Sequence, residues 1–370
     1  MTITPPLAAA NAALIALCER HGCARVDTPV LQPADLFLDL SGEDIRRRLF
    51  LTVDQEGREM CLRPEYTIPV CRRHLEAGQS RADYCYLGPV FRQRVGESGE
   101  FLQAGIESIG REDISPADAD VIGLALDGLA LYRTGPLEVR IGDMGLLDAL
   151  MRALHVPTPT RRRLLRDIAA GRPPGEILAP EPRASGSDHA GLLAAIEGQD
   201  PRAARAFVED VLSIAGIARV GGRTAGEIAE RFLSRAENRS GTLSDEARQV
   251  LASYLAIEGN LDGAAAEIRA LARNAGLDLE EMLDRFEERT GFMAARGLAI
   301  DDFRFRADFA RSLDYYTGFI FEIRDRDRAD GRLIAAGGRY DRLLDHLGGS
   351  GPIPAVGCSF WLDRLEGGQP

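Results

Sequence analysis

Leu7, Leu14, Ile15 and Cys18 fall on one face of a helix, with Asn11 among them, and Arg20-His21-Gly22 ends it. From Ala24 to Tyr86 the spacing changes to short apolar runs broken by Pro and Gly. These predict strands at Arg25–Val30, Leu49–Val53 and Glu59–Leu62, a helix over Ile68–Leu75, and a strand around Tyr84–Leu87. Two more strand runs, Gly88–Arg94 and Phe101–Ile109, flank Gly96-Glu97-Ser98-Gly99 and predict a long antiparallel hairpin. Ser115-Pro116 is expected to cap a helix that buries Val121, Leu124, Ala125, Leu129 and Tyr132. A strand at Leu137–Ile141 and a helix at Met144–Leu154 follow. From about Pro157 to Gly297 the chain turns to Ala, Leu, Glu and Arg with few strand patterns; Gly171–Gly186 is proline-rich, and Ser244 before Asp245-Glu246 marks a helix start. Strand chemistry returns at Phe303–Phe309, Phe319–Ile323 and Leu333–Ala336, and a final helix is expected from Ser359. The pattern is that of an α+β protein: residues 1–156 and 301–370 form one sheet-containing core, and 157–300 is a helical insertion looped out between them.

Composition narrows the chemistry. The chain has 370 residues, 45% hydrophobic and 28% charged, which suits ordinary globular domains. Its 45 basic residues are all arginine, so chemistries that need a lysine, a Walker-type phosphate loop or a Schiff base, are excluded. A net charge of -12 gives no general attraction to nucleic acid or anionic membranes. The six cysteines form no C-x-x-C pair and the five histidines are scattered, so neither a metal site nor a disulfide framework is signalled. Leu7–Cys18 lacks a basic flank and is too short to span a bilayer, and a cytoplasmic location is expected. Arg161-Arg162-Arg163 reads as the solvated start of a helix.

Five polar, glycine-containing segments carry the candidate chemistry: Leu62–Thr67, Gly88–Arg92, Gln103–Glu107, Arg311–Gly318 and Gly337–Asp341. On a strand, Gln103, Gly105 and Glu107 share a face, so an amide and a carboxylate project together across a gap left by glycine.

In this order the segments resemble the catalytic core of class II aminoacyl-tRNA synthetases, specifically histidyl-tRNA synthetase. Pro29 resembles the motif 1 proline of the dimer interface, Gly88–Arg92 the motif 2 strand, and Val356-Gly357 through Asp363-Arg364-Leu365 motif 3. The resemblance implies an antiparallel sheet flanked by helices and a pocket for histidine. Glu107 and Tyr316 match the positions that would hold the imidazole, with Tyr315 and Tyr340 nearby. Glu65, Thr67 and Gln103 would take the α-amino group, and Arg92 or Arg311 the carboxylate.

The departures are equally specific. Only six residues follow Arg364, where a synthetase carries its anticodon-binding domain. Motif 2 reads Phe91-Arg92-Gln93-Arg94, with Arg where Glu belongs, and in motif 3 Trp361 stands at a usually small position and Asp363 replaces Glu. A kept amino-acid pocket beside altered ATP and tRNA elements resembles the regulatory-subunit family of ATP phosphoribosyltransferase, paralogues of histidyl-tRNA synthetase. That resemblance implies a non-catalytic protein with no cofactor and no tRNA partner. It would form a homodimer within a hetero-oligomer with the short-form catalytic subunit, and bind histidine for feedback control of histidine biosynthesis. The competing expectation, motivated by Arg92, Arg311 and Arg364, is a truncated synthetase-like enzyme that activates histidine with ATP.

Overall fold

The computed structural model describes residues 5–40, 45–132, 135–179, 219–220, 223–224, 243–311, 315–326 and 332–365. In chain order these hold α1 (Pro5–Arg20), β1 (Ala24–Arg25), β2 (Leu31–Pro33), α2 (Asp35–Leu40), β3 (Leu51–Val53), β4 (Glu59–Leu62) and α3 (Thr67–Ala77). The long hairpin β5 (Ala82–Phe91) and β6 (Glu100–Ile109) comes next, then α4 (Ile114–Leu129), β7 (Leu137–Asp143), α5 (Met144–Ala153), α6 (Thr158–Ala169) and α7 (Pro174–Ile177). A two-strand ladder, β8 (Arg219–Val220) with β9 (Arg223–Thr224), precedes α8 (Asp245–Leu255), β10 (Glu258–Gly259), α9 (Leu261–Asn274) and α10 (Glu280–Ala295). The chain closes with β11 (Phe303–Arg306), β12 (Phe319–Asp325), β13 (Leu333–Arg339), α11 (Leu343–His346) and β14 (Ala355–Trp361).

Nine strands form one sheet in the order β1-β5-β6-β14-β13-β12-β7-β11-β10. Its pairs are antiparallel except β1 with β5 and β11 with β7. The two ends of the chain therefore interleave: β14 inserts between β6 and β13, and β12 lies against β7. Alternation along each strand separates two cores. On β6 and β14, Ala104, Ile106, Val356 and Phe360 face the larger core, built with α1, α4, α5 and α8–α10. Tyr84, Tyr86, Phe101 and Trp361 face the other side, where α3, α11 and a small sheet of order β2-β4-β3 pack.

Several local expectations change in three dimensions. Gly88–Arg94 is not a separate strand: β5 runs unbroken from Ala82 to Phe91, paired throughout with β6. Arg25–Val30 does not continue as a strand. Its carbonyls at Thr28 and Pro29 are taken by the side chains of Arg63 and Gln32 instead of a neighbouring strand. Ser115 does not cap α4; its hydroxyl donates to Glu288 on α10 at 2.6 Å, and the capping residue Asp113 is claimed by Arg111. The helix expected from Ser359 is absent, because Val356, Cys358 and Phe360 alternate with Gly357, Ser359 and Trp361 and so complete a central strand; only a single 3-10 turn, Leu362–Arg364, follows. Ser244 caps α8 as its spacing predicts, accepting from the Ala247 amide at 3.0 Å.

The helices of 243–300 pack directly on the sheet-bearing part. Gly123 on α4 leaves room for the Arg296 side chain at the end of α10, and Arg296 pairs with Asp120 at 2.7 Å. A buried charge network fastens the same elements. Arg339 of β13 donates through Nε and Nη2 to Asp118 of α4 at 3.0 and 2.7 Å, and through Nη1 to Asp341 at 2.9 Å. Arg289 of α10 reaches Asp118 at 3.5 Å and Asp143 at 2.6 Å, while Asp143 also caps α5. Residues 180–218 and 225–242 of the expected insertion lie outside the described residues. Among the described residues no helix is long and apolar enough to cross a membrane.

Candidate functional site

Three cross-strand rows on the smaller-core face make the floor of a cavity. Gly88, Gln103 and Trp361 stand in one row, Tyr86, Gly105, Ser359 and Ala336 in the next, and Tyr84, Glu107, Gly357 and Gly338 in the third. Glycine is required at the close approaches. A Cβ on Gly105 would overlap the Tyr86 hydroxyl, and one on Gly357 would overlap the Glu107 carboxylate. The gap that glycine leaves between Gln103 and Glu107 is thus partly filled, by Tyr86.

The cavity holds about 180 Å³. All nine residues singled out in the sequence line it: Glu65, Thr67, Arg92, Gln103, Glu107, Arg311, Tyr315, Tyr316 and Tyr340. They come from five separate segments that only the interleaved sheet brings together. The sequence did not single out Tyr86, Arg48 or Ser359. Tyr86 donates to Glu107 at 3.3 Å and accepts from the Ser359 hydroxyl at 2.9 Å; its signal was register, since it sits directly opposite Gly105.

Glu107 is the centre of the site and is buried. Its Oε1 accepts from Thr67 at 2.7 Å and from Tyr86, and its Oε2 accepts from Tyr340. Burial disfavours the charged form more than these three donors restore it, with the nearby Glu65 adding repulsion, so the carboxyl is pushed up to about 8. Two oxygens offer about four lone-pair directions, so one remains for a ligand donor. Glu65 accepts the Thr67 and Ile68 amides at 2.5 and 3.0 Å, which satisfies the first turn of α3 where Tyr66 makes no side-chain cap. Burial raises its pKa, offset in part by Ile68 and Arg92. Gln103 is 1% exposed and its Oε1 has no partner, an acceptor with nothing to accept from.

Opposite these acids stand arginines. Arg92 is held by the Pro64 carbonyl at 2.6 Å, and burial lowers it to about 10 against the attraction of Glu65. Trp361 forms a wall between Arg311 and Arg364, whose guanidinium carbons lie 5.9 and 5.7 Å from its ring centre. The two motif departures close on each other: Arg94 stacks over Phe101 at 4.1 Å, pairs with Glu97 at 2.7 Å and reaches Asp363 at 3.3 Å. A pair of acids, an open amide acceptor and arginines around one small space suit a zwitterion, with aromatic hydroxyls at one end for a polar ring. Among the described residues no cluster of three or more potential ligands could hold a metal ion, and all six cysteines are free and buried.

Comparison with known proteins places the chain in a family. The family model of histidyl-tRNA synthetase matches residues 6–197 and 227–365. An ATP phosphoribosyltransferase regulatory subunit from Brucella canis is 41% identical over 347 residues, covering 92% of each chain, and that from Brucella suis matches equally. The chain belongs to the family of ATP phosphoribosyltransferase regulatory subunits. These relatives are named as regulatory subunits. The fold is shared with more distant structures. One is an ATP phosphoribosyltransferase regulatory subunit/histidyl-tRNA synthetase from Bacillus halodurans, with a TM-score of 0.68 at 21% identity, covering 97% of this chain and 78% of that one. Another is histidyl-tRNA synthetase from Nostoc, with a TM-score of 0.64 at 16% identity, covering 98% and 72%. The antiparallel, helix-flanked architecture expected from the sequence is the one these structures share.

Proposed function

We propose that this chain is the non-catalytic regulatory partner of an ATP phosphoribosyltransferase catalytic subunit in histidine biosynthesis, and that the cavity around Glu107 binds histidine as the feedback signal. The observation that carries the ligand assignment is the charge layout of the cavity. Glu65, Thr67 and the unpartnered Gln103 amide suit an α-ammonium, and Arg92 with Arg311 suits a carboxylate. Glu107 with Tyr316 and Tyr340 suits the N–H and N of a neutral imidazole. A side chain unable to pair with these buried groups would forfeit about 1–3 kcal/mol for each one left unsatisfied, which is the basis for rejecting other amino acids. Trp361, packed against Arg364 beside the cavity, supports binding without adenylate formation. Feedback requires histidine to bind one state of the complex more tightly than another.

The functional test adds the purified chain to the short catalytic subunit. The expected result is a rise in transferase rate and its suppression by histidine, with ATP–pyrophosphate exchange at background. No complex and no activation would refute the assignment.

Proton linkage gives a second check. A carboxyl titrating near 8 is largely protonated at neutral pH, yet it must be ionised to accept the imidazole N–H. Histidine binding then releases a proton, and affinity rises with pH, by roughly fivefold from pH 7 to pH 8. Calorimetry in buffers of different ionisation heat measures this release directly; flat affinity over that range would contradict it. The same raised pKa sets the sign for the unliganded fold. The native state binds more protons than the unfolded chain between the usual glutamate value and about 8, so this group's contribution to stability declines as pH rises through that window.

Self-association belongs to the same proposal. Val30, Leu31, Leu51 and Val53 are exposed on or beside the small sheet, a surface suited to a second copy. Leu51→Glu with Val53→Glu is expected to convert dimer to monomer in sedimentation velocity; a dimer unaffected by both would exclude this surface.

A further inference from the structure

A second cavity, of about 250 Å³, shares Arg311 and Tyr316 as lining residues with the one containing Glu107. One wall is a single face of α6: Arg162, Leu165, Arg166 and Ala169 follow the i, i+3, i+4, i+7 spacing of a helical stripe. Thr160, Leu164 and Ile168 are buried on the opposite side of that helix. The other wall is Met144 at the start of α5, with Arg311 and Tyr316.

Three guanidinium groups therefore border one space, and no carboxylate is among the described residues that line it. The chain as a whole carries a net charge of -12, so a local excess of positive charge stands out. Within the same run Arg161 is held by the Thr158 hydroxyl at 3.1 Å and lies near Asp148, whereas Arg162 and Arg166 make no ion pair among the described residues. The Arg311 Nε is buried without a hydrogen-bond partner. Arg162 and Arg166, one turn apart and without a counter-ion among the described residues, repel each other, and such an arrangement is relieved by a bound anion. Planar guanidinium forks match phosphate oxygens in particular, and Met144, Leu165 and Ala169 give the same space an apolar flank for a carbon skeleton.

We infer that this cavity is a binding site for a small phosphate ester, adjoining the amino-acid cavity at Arg311 and Tyr316. The stretch Arg161–Arg163, which in the sequence looks like a solvated helix start, contributes Arg162 to it.

The test is calorimetric titration of the full chain with sn-glycerol 3-phosphate, and with inorganic phosphate in parallel at low salt. Saturable binding of the ester is expected, tighter than that of inorganic phosphate. The double variant Arg162→Gln/Arg166→Gln should weaken it at least about tenfold. Because both side chains are exposed, the variant should keep the native unfolding midpoint, which separates lost binding from lost fold. Arg285→Gln, at an exposed arginine paired with Glu281, should leave binding unchanged. Absence of saturable binding, or equal affinity in the double variant, would overturn the site; equal affinity for ester and inorganic phosphate would overturn its assignment to an ester.

Discussion

Arg339→Met is expected to destabilise the protein by about 3–5 kcal/mol, the cost of removing one partner from a buried ion pair. The side chain fits a methionine, so lost volume is a minor part of the effect. What remains is Asp118, fully buried and left with only the longer 3.5 Å contact to Arg289. Asp341 loses a partner as well, although it still accepts the Ala355 amide at 2.9 Å. Replacing both charges, in Arg339→Met/Asp118→Leu, should recover part of the loss, because no carboxylate is then stranded. Thermal unfolding followed by circular dichroism measures the difference, expected to be about 4–6 °C for the single variant. An Arg339→Met protein that melts with the wild type would show that the network contributes nothing net. Arg339 immediately precedes Tyr340, so the same substitution should also loosen the hydroxyl that Glu107 depends on.

Glu107→Ala is expected to abolish measurable histidine binding, a loss of roughly 100-fold or more given about 1.5–3 kcal/mol for each hydrogen bond to a charged group and the partners it strands. Thr67, Tyr86 and Tyr340 all point their hydroxyls at this carboxylate, and the variant removes the acceptor of all three, with Ser359 remaining as a partner for Tyr86 alone. Glu107→Gln keeps the shape and most of these contacts, so it serves as the folded control. Its amide can still accept at one oxygen but carries no charge, and binding should weaken at least about tenfold while the pH dependence between 7 and 8 disappears. Persistence of that pH dependence in Glu107→Gln would assign the titrating group elsewhere.

The parts of this architecture that were legible in the sequence are those written in local pattern. A hairpin announces itself at Gly88–Arg94 and Phe101–Ile109 by strand runs on both sides of a glycine-rich tip, although its first strand begins at Ala82, and Gln103, Gly105 and Glu107 share a face because strand geometry leaves no alternative. Ser244 could be recognised as a cap because its partner amide is three residues away. What local pattern does not contain is partnership at a distance. Ser115 looks like a cap but bonds to Glu288, 173 positions later. Nothing near Arg339 indicates that its counter-charge is Asp118, and nothing near Tyr86 indicates that glycine opposite it on β6 opens the way to Glu107. The segment from Ser359 departs from its expected helix for a related reason: Ser359–Trp361 is strand because β6 and β13 flank it, a condition set by residues far away in sequence. Arg162 belongs to the same class, since only the fold sets it beside Arg311.

The most direct test of the account is an equilibrium titration of the purified chain with L-histidine. The charge layout around Glu107 predicts one saturable site per chain, with proton release near pH 7 and no comparable binding of other amino acids. A chain that takes up no histidine, or that binds leucine equally well, would contradict the claim that this cavity is the sensor.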